Sequence, residues 1–166
     1  QKAGISRASF YLYFEDKEDL LGCIAESWVD VILRKLTEAF RVSDGSYYES
    51  MKLWMSQALE NDISREVWKV YKRVMEEEDF TRKSKMGALQ FKASPKWRQV
   101  IEECYGHMDQ SRYPGLTPEK LAYAVDMGLL AMVQLSMRYV EHYAPLAELK
   151  EAAWHQLTIL DKGIRE

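Results

Sequence analysis

The residues with the clearest chemical potential stand near the start of the sequence, where a cation, hydroxyls and phenols follow one another closely. The guanidinium of Arg7 can fork onto O6 and N7 of guanine, and the methyl of the small Ala8 can touch a thymine methyl. The hydroxyls of Ser9, Tyr11 and Tyr13 can bond phosphate oxygens. These residue types indicate contact with double-stranded DNA. For Tyr11, a role in packing is an equally good interpretation.

A short helix is needed to present these side chains. The segment 3–5 (Ala-Gly-Ile) is typical of a tight turn between helices, Ser6 is an N-cap, and a helix is predicted over about 7–13. Phe10 and Phe14 lie four residues apart, so both face inward on that helix. Its N-terminal side is then exposed, as in a recognition helix that enters a major groove.

The next helix starts directly behind this motif. Asp16 is a suitable N-cap and Asp19 follows three residues later, which predicts a long helix over about 16–41. Lys17 lies in its first turn beside free backbone N–H groups, a place that favours a phosphate. The neighbouring acidic residues are interpreted as helix caps rather than as contacts to DNA.

The rest of the chain has helical periodicity almost everywhere, and alternating β-branched runs are absent. An all-α fold is therefore predicted. Breakers at 43–46, 94–95, 113–115 and 144–145 separate the predicted helices. The apolar stripes follow these breakers, at 47–59, 64–75, 97–108, 121–140 and 146–164.

Two of these stripes are typical of extensive helix packing. The stretch 121–140 is apolar nearly all round, which predicts burial on more than one side, and the second side is often another subunit. Asp126, Gln134 and Arg138 within it argue against a membrane span and need partners if buried. The seam over 146–164 suits helix-on-helix packing within or between chains.

Several large side chains on inward stripes are candidates to line a pocket for a lipophilic ligand. They are Trp54, Trp68, Tyr71, Met75, Trp97, Tyr105, Met127 and Met132. Taken one at a time, each is better explained as part of the core.

Composition excludes other classes of function. The net charge is −3, and the first 36 residues hold five Lys or Arg against six acidic residues, so any DNA binding must be local. Cys23 and Cys104 are interpreted as buried free thiols of a cytoplasmic protein. His107, His142 and His155 have no metal-ligand spacing, and no catalytic arrangement stands out. We expect no metal, no cofactor and no enzymatic activity.

The stretch AGISRASFYLYFEDKEDLL resembles the second half of the helix-turn-helix of the TetR family of transcriptional regulators. Ser9 stands where the family most often has Thr, and the hydroxyl is kept. The matching positions are Gly4, Ile5, Ser6, Phe10, Tyr11, Tyr13, Phe14, Lys17 and Leu20. The sequence begins within this motif, so we expect the first part of the DNA-binding head to be missing and the chain alone to bind an operator poorly.

The resemblance implies two parts: residues 1–38 as the remnant of a three-helix DNA-binding head with the start of the connecting helix, and 39–166 as an effector-binding and dimerisation domain. It implies a ligand-responsive repressor that binds palindromic DNA as a homodimer through helices at about 118–143 and 145–163. A lipophilic effector would release the DNA by moving the heads apart. The alternatives are a helical carrier or enzyme without a DNA role, and a dimerising adaptor with a filled core.

Overall fold

The computed structural model describes residues 7–59, 94–141 and 145–166. Within these ranges the structure contains helices and no strand, which confirms the all-α class for this part of the chain. The helices are α1 (Arg7–Tyr11), α2 (Lys17–Val42), α3 (Tyr47–Gln57), α4 (Pro95–Gly106), α5 (Pro118–Glu141) and α6 (Leu146–Arg165). The turn expected at 3–5, its Ser6 cap and the helix expected at 64–75 lie outside the described residues.

The start of α2 follows from its capping residues. The side chain of Asp16 accepts a hydrogen bond from the Asp19 N–H at 2.8 Å. The Asp19 carboxylate in turn accepts from the Glu15 N–H at 3.1 Å. The interpretation of Asp16 and Asp19 as caps is confirmed, because two backbone N–H groups near the helix start are satisfied by side chains.

The helix α1 is shorter than the predicted span of 7–13. The N–H groups of Tyr13 and Phe14 both donate to the carbonyl of Phe10 at 3.1 Å. Two donors on one carbonyl tighten the chain into a turn, and the regular helix ends at Tyr11.

Serine caps also begin α3 and α4. The Ser46 hydroxyl accepts from the Glu49 N–H at 3.3 Å, and Ser94 accepts from the Trp97 N–H at 3.1 Å. Pro95 occupies the first position of α4, where the missing N–H costs no hydrogen bond. The predicted breakers at these places are therefore confirmed as helix starts.

The core lies around α3, which contacts α2, α5 and α6, while α4 packs against α2 and α5. One face of α3 is wholly buried, as its predicted stripe required. Its members are Tyr47, Met51, Trp54 and Met55, with Ala58 and Leu59 directly after the helix. At Gly128 on α5, the terminal methyl of Met51 from α3 occupies the space that a Cβ would fill.

The turn between α2 and α3 requires a glycine. Gly45 has a φ of +69°, and its carbonyl accepts from the Asp109 N–H at 3.1 Å. A Cβ on Gly45 would lie 2.6 Å from that same nitrogen. The contact therefore joins the α2–α3 turn to the loop between α4 and α5 at a distance that only glycine allows.

A buried polar network fastens this loop to α3 and α6. The Tyr113 hydroxyl accepts from the Tyr47 N–H at 3.0 Å and donates to Asp161 at 2.6 Å. Arg165 binds the other oxygen of the Asp161 carboxylate at 2.7 Å. The Tyr47 hydroxyl donates to the carbonyl of Ala124 on α5 at 2.7 Å. Each buried polar group named here has a partner, which is what makes its burial tolerable.

Three residues, Cys23, Gln134 and Arg138, do not lie where the sequence pattern put them. Cys104 is buried as expected, but Cys23 is exposed, because the described side chains of α2 before Leu33 are all exposed or half-buried. Gln134 and Arg138 are exposed as well, since they lie on the face of α5 that the chain leaves open. They need no buried partners. Asp126 is half-buried and takes part in an interaction.

Candidate functional site

The surface that α1 presents is aromatic and open. Tyr11 is 65% exposed, Tyr13 is 80% exposed and Leu12 between them is also exposed. Behind them the rings of Phe10 and Phe14 pack with their centroids 5.5 Å apart. The phenols therefore face outward from a small aromatic base, but Tyr13 lies in the turn after α1 and not on the helix that was predicted over 7–13.

The other residues predicted to contact DNA lie on the same short segment. Arg7 and Ala8 form the first turn of α1, and their side chains lie outside the described part of the structure. Ser9 is half-buried and Lys17 is exposed in the first turn of α2, and both take part in interactions. The structure brings the backbone positions together, and their contacts to DNA remain a prediction.

The helix α2 changes character along its length. Before Leu33, every described side chain of α2 is exposed or half-buried, including the partly exposed Val31. From Leu33 onward the buried positions Leu36, Ala39 and Phe40 recur with the helical period. One continuous helix thus carries the segment next to α1 at one end and is anchored in the core at the other.

The residues predicted to line a pocket have different environments. Trp54, Trp97 and Met132 are buried in the core. Tyr105 is half-buried, with its hydroxyl 3.3 Å from the carbonyl of Leu116. Met127 is about half exposed on the outer side of α5. The remaining three, Trp68, Tyr71 and Met75, lie outside the described residues, so the pocket itself remains a prediction.

The outer face of α5 is apolar and uncovered from Tyr123 to Val133, and the exposed Gln134 and Arg138 follow on the same side. Tyr123, Met127 and Leu130 follow one another at spacings of four and three, which places them on one stripe of the helix. Tyr123 is 75% exposed, and Val133 beside the stripe is also exposed. A run of large exposed apolar side chains on one helix face is typical of a contact with another protein surface.

The seam of α6 is used within the chain. Leu149, Ala153, Leu157 and Ile164 are all buried, and α6 packs against α5 and α3. The sequence left open whether this stripe packs within one chain or between two chains. In the structure it packs within the chain. Ile159 is the large apolar side chain that the described part of α6 exposes.

Burial controls the protonation of two groups in the core. Burial, and then the neighbouring Asp161 carboxylate, raises the pKa of the Tyr113 hydroxyl, so it stays protonated and donates its hydrogen bond. Burial, and then the charge of Glu103, raises the pKa of the Cys104 thiol to about 12. A thiol with so high a pKa is a poor nucleophile, which assigns Cys104 to the core rather than to a reaction.

Sequence reasoning missed the polar network of Tyr113, Asp161 and Arg165. The spacing of Asp161 and Arg165, four residues apart on a helix, was a usable signal for their ion pair. Tyr113 gave no signal, because it stands in a Pro-Gly turn whose position against α6 depends on the tertiary fold.

Among the described residues, no group of three His, Cys, Asp or Glu is placed to hold a metal ion. None of the described helices combines the length and apolarity that crossing a membrane requires. The chain matches no model of a protein family, no curated protein and no solved structure.

Proposed function

We propose that the chain belongs to a ligand-responsive transcriptional repressor, similar to the TetR family, that binds palindromic DNA as a homodimer and is released by a lipophilic small molecule. The observation that carries this proposal is the exposed pair Tyr11 and Tyr13, held from behind by Phe10 and Phe14. Large exposed aromatic side chains need a partner, and phenols beside an arginine and a lysine suit the grooves and phosphates of DNA.

In this proposal α2 transmits the signal. Its first half follows the DNA-reading segment and its second half packs in the core through Leu33, Leu36 and Phe40. An effector lowers the affinity for DNA if it binds preferentially to a conformation in which the spacing of the two DNA-binding heads does not fit the palindromic site. A coupling of about 1–3 kcal/mol between the two sites changes that affinity about 5- to 150-fold.

The proposed homodimer uses the outer face of α5. Tyr123, Met127 and Leu130 give this face the apolar character that an interface core needs. A two-fold axis brings the same stripe of both chains together. Because the seam of α6 is occupied within the chain, we propose that α5 supplies most of the apolar contact.

DNA binding is tested with a chain that carries, before Gly4, the helices that the resemblance implies, and with a pool of randomised duplexes. We expect a palindromic site to be selected. Arg7→Ala should relax the preference at one base pair and cost about 1–3 kcal/mol of binding free energy. Lys17→Ala is the matched variant. It should weaken binding to all DNA sequences alike, and it should reduce by about one the slope of log affinity against log salt concentration.

An unchanged base preference in Arg7→Ala would contradict the base-reading role of this residue. Failure to select any duplex would leave the carrier or enzyme without a DNA role as the better explanation.

The dimer is tested by analytical ultracentrifugation of Leu130→Lys and Val42→Lys. Both residues are about half exposed, but Val42 lies at the end of α2, away from the α5 stripe. We expect the parent chain and Val42→Lys to sediment as dimers and Leu130→Lys as a monomer. Dimers of Leu130→Lys with unchanged affinity would place the interface elsewhere.

The effector is tested by thermal unfolding with a panel of lipophilic compounds. A ligand that binds only the folded chain raises the melting temperature with its concentration. We expect such a compound also to release DNA from the extended chain. A compound that stabilises the chain without affecting DNA supports a carrier, and the absence of any stabilisation supports an adaptor with a filled core.

A further inference from the structure

An ion pair joins α2 to α4 at the start of the packing between these two helices. Lys96 of α4 contacts the carboxylate of Asp30 on α2. Further along both helices, the hydroxyl of Thr37 lies within hydrogen-bonding reach of the Cys104 thiol. The two helices therefore run side by side in the same direction. Because α4 begins at Pro95, the contact between Asp30 and Lys96 lies at the end of α4 from which this packing starts.

The same ion pair lies at a boundary within α2. Before Leu33 the described side chains of α2 are exposed or half-buried, and the buried positions begin at Leu33 itself. The helix begins at Lys17, so about three turns of it precede Asp30 and extend beyond the start of α4. A contact at Asp30 therefore limits how far the first half of α2 can move away from α4.

Neither partner of this ion pair is placed where its own helix favours it. Lys96 lies in the first turn of α4, where the helix dipole disfavours a cation, and this turn contains no acidic residue. Asp30 lies in the interior of α2, where aspartate has a low helix propensity. The contact between the two helices explains both placements. By contrast, the ion pairs of Arg41, Lys52 and Arg165 each join residues of a single helix.

Salt ions can reach this ion pair. The side chain of Asp30 is 60% exposed and that of Lys96 is 53% exposed. Both residues also line an open groove of about 590 Å³ between α2 and α4. Counter-ions screen the attraction between exposed charges, so an ion pair at the surface weakens as salt is added. The strength of this contact between α2 and α4 therefore depends on the ionic strength.

We infer that Asp30 and Lys96 form an ionic clasp, which holds the first half of α2 and the preceding α1 close to α4 and releases them as the ionic strength rises. After release, the first half of α2 opens more often, while the buried contacts from Leu33 onward stay in place. The inference goes beyond the proposed repressor function and does not require it, because the clasp and its release belong to the chain alone. In a chain that binds DNA, the clasp would set how firmly Tyr11 and Tyr13 are positioned.

The test measures hydrogen exchange by mass spectrometry in about 20 mM and about 500 mM sodium chloride, between which the Debye length falls from about 20 Å to about 4 Å. At low salt, Lys96→Gln should speed the exchange of amides 20–28 by about two- to fivefold, the size expected for an exposed ion pair. This variant leaves the charges of α2 itself unaltered. Asp30→Asn should have the same effect, and the double variant should exchange no faster than either single variant. At high salt, the parent chain should exchange as fast as the variants.

Glu38→Gln is the matched control, because it breaks the exposed ion pair with Arg41 in the second half of α2. It should leave the exchange of amides 20–28 unaltered, and a change as large as that of Lys96→Gln would overturn the inference. Amides 149–160 of α6 report global unfolding, and they should exchange alike in all variants.

The clasp is also overturned if Lys96→Gln leaves amides 20–28 unaltered, if salt has no effect on the parent chain, or if the effects of the two single variants add. A change in α6 as large as the change in α2 would show a general loss of stability and would overturn it too. No DNA is present in these measurements, so failure of the clasp and failure of the proposed repressor function are distinguishable.

Discussion

Single polar atoms decide how firmly this helical core is held. The Tyr113 hydroxyl serves two partners at once, because it accepts from the backbone of Tyr47 and donates to the Asp161 carboxylate. Tyr113→Phe keeps the ring but leaves both partners short of a hydrogen bond in a buried place. We expect it to lower the free energy of unfolding by about 1–3 kcal/mol, measured by urea denaturation.

Tyr105→Phe is the matched control for this change. Its hydroxyl lies 3.3 Å and 3.4 Å from its two acceptors, at the edge of the core. Its removal should change the free energy of unfolding by no more than about 0.5 kcal/mol. If both variants lost the same free energy of unfolding, the buried hydrogen bonds of Tyr113 would contribute no more than the exposed ones of Tyr105.

The buried thiol of Cys104 should make the stability of the chain depend on pH. In the unfolded chain the thiol of Cys104 has its ordinary pKa of 9.0, whereas burial raises it to about 12 in the folded chain. Above pH 9 the unfolded chain therefore loses a proton that the folded chain keeps, and the free energy of unfolding falls as the pH rises. The loss is about 1.4 kcal/mol at pH 10.

Denaturation curves at pH 8 and pH 10 measure this loss. Cys104→Ala should reduce it, whereas Cys23→Ala, at an exposed position, should retain it. In the folded protein a thiol reagent should modify Cys23 alone. Rapid modification of Cys104 at neutral pH would contradict its burial.

At the scale of helices, the side chain of Met51 on α3 packs into the space left by the missing side chain of Gly128 on α5. A Cβ at Gly128 would overlap the terminal methyl of Met51, and it would lie 3.4 Å from the Tyr47 hydroxyl. Gly22, within α2, has nothing within 4 Å of the same virtual atom. Gly22→Ala should therefore raise the free energy of unfolding by about 0.5–1 kcal/mol through helix propensity alone.

Gly128→Ala gains the same helix propensity, but its new methyl group must displace the buried side chain of Met51. We expect it to be at least about 1 kcal/mol less stable than Gly22→Ala in the same denaturation assay. If both variants gained equally, the terminal methyl of Met51 would not be held tightly against Gly128.

The sequence predicted those elements whose signals are local. Asp16, Ser46 and Ser94 marked three helix starts correctly, because a cap acts within its own turn. The early end of α1 was missed, since two donors share the Phe10 carbonyl and no residue type announces that arrangement. The exposure of Cys23 was missed for a different reason: an apolar pattern on α2 does not tell which half of the helix the core covers.

At the scale of the whole molecule, the described side chains of α2 are buried only from Leu33 onward. Amides near residues 20–30 should exchange with solvent faster than those at 33–42, because the described side chains there are exposed or half-buried. Hydrogen exchange followed by mass spectrometry on the chain alone measures this gradient. Uniform protection along α2 would mean that another surface covers its first half.

The candidate sites that need two helices could not be predicted from the sequence. Nothing in the residue pattern pairs Asp30 with Lys96, because their contact depends on how α2 and α4 pack. The α5 stripe was predicted in part, since its composition showed two apolar sides. The proposed DNA-reading segment was identified from contiguous residues alone, and its contact with DNA stays a prediction.

The hydrogen bonds around Tyr113 also have a kinetic consequence. They join residues separated by 66 and 48 positions, so they close long loops in a protein whose other contacts are largely within helices. Such contacts form after the rate-limiting step when the local helices fold first. We therefore expect Tyr113→Phe to leave the refolding rate nearly unchanged and to increase the unfolding rate. The hydroxyl of Tyr113 thus mainly lengthens the lifetime of the folded state.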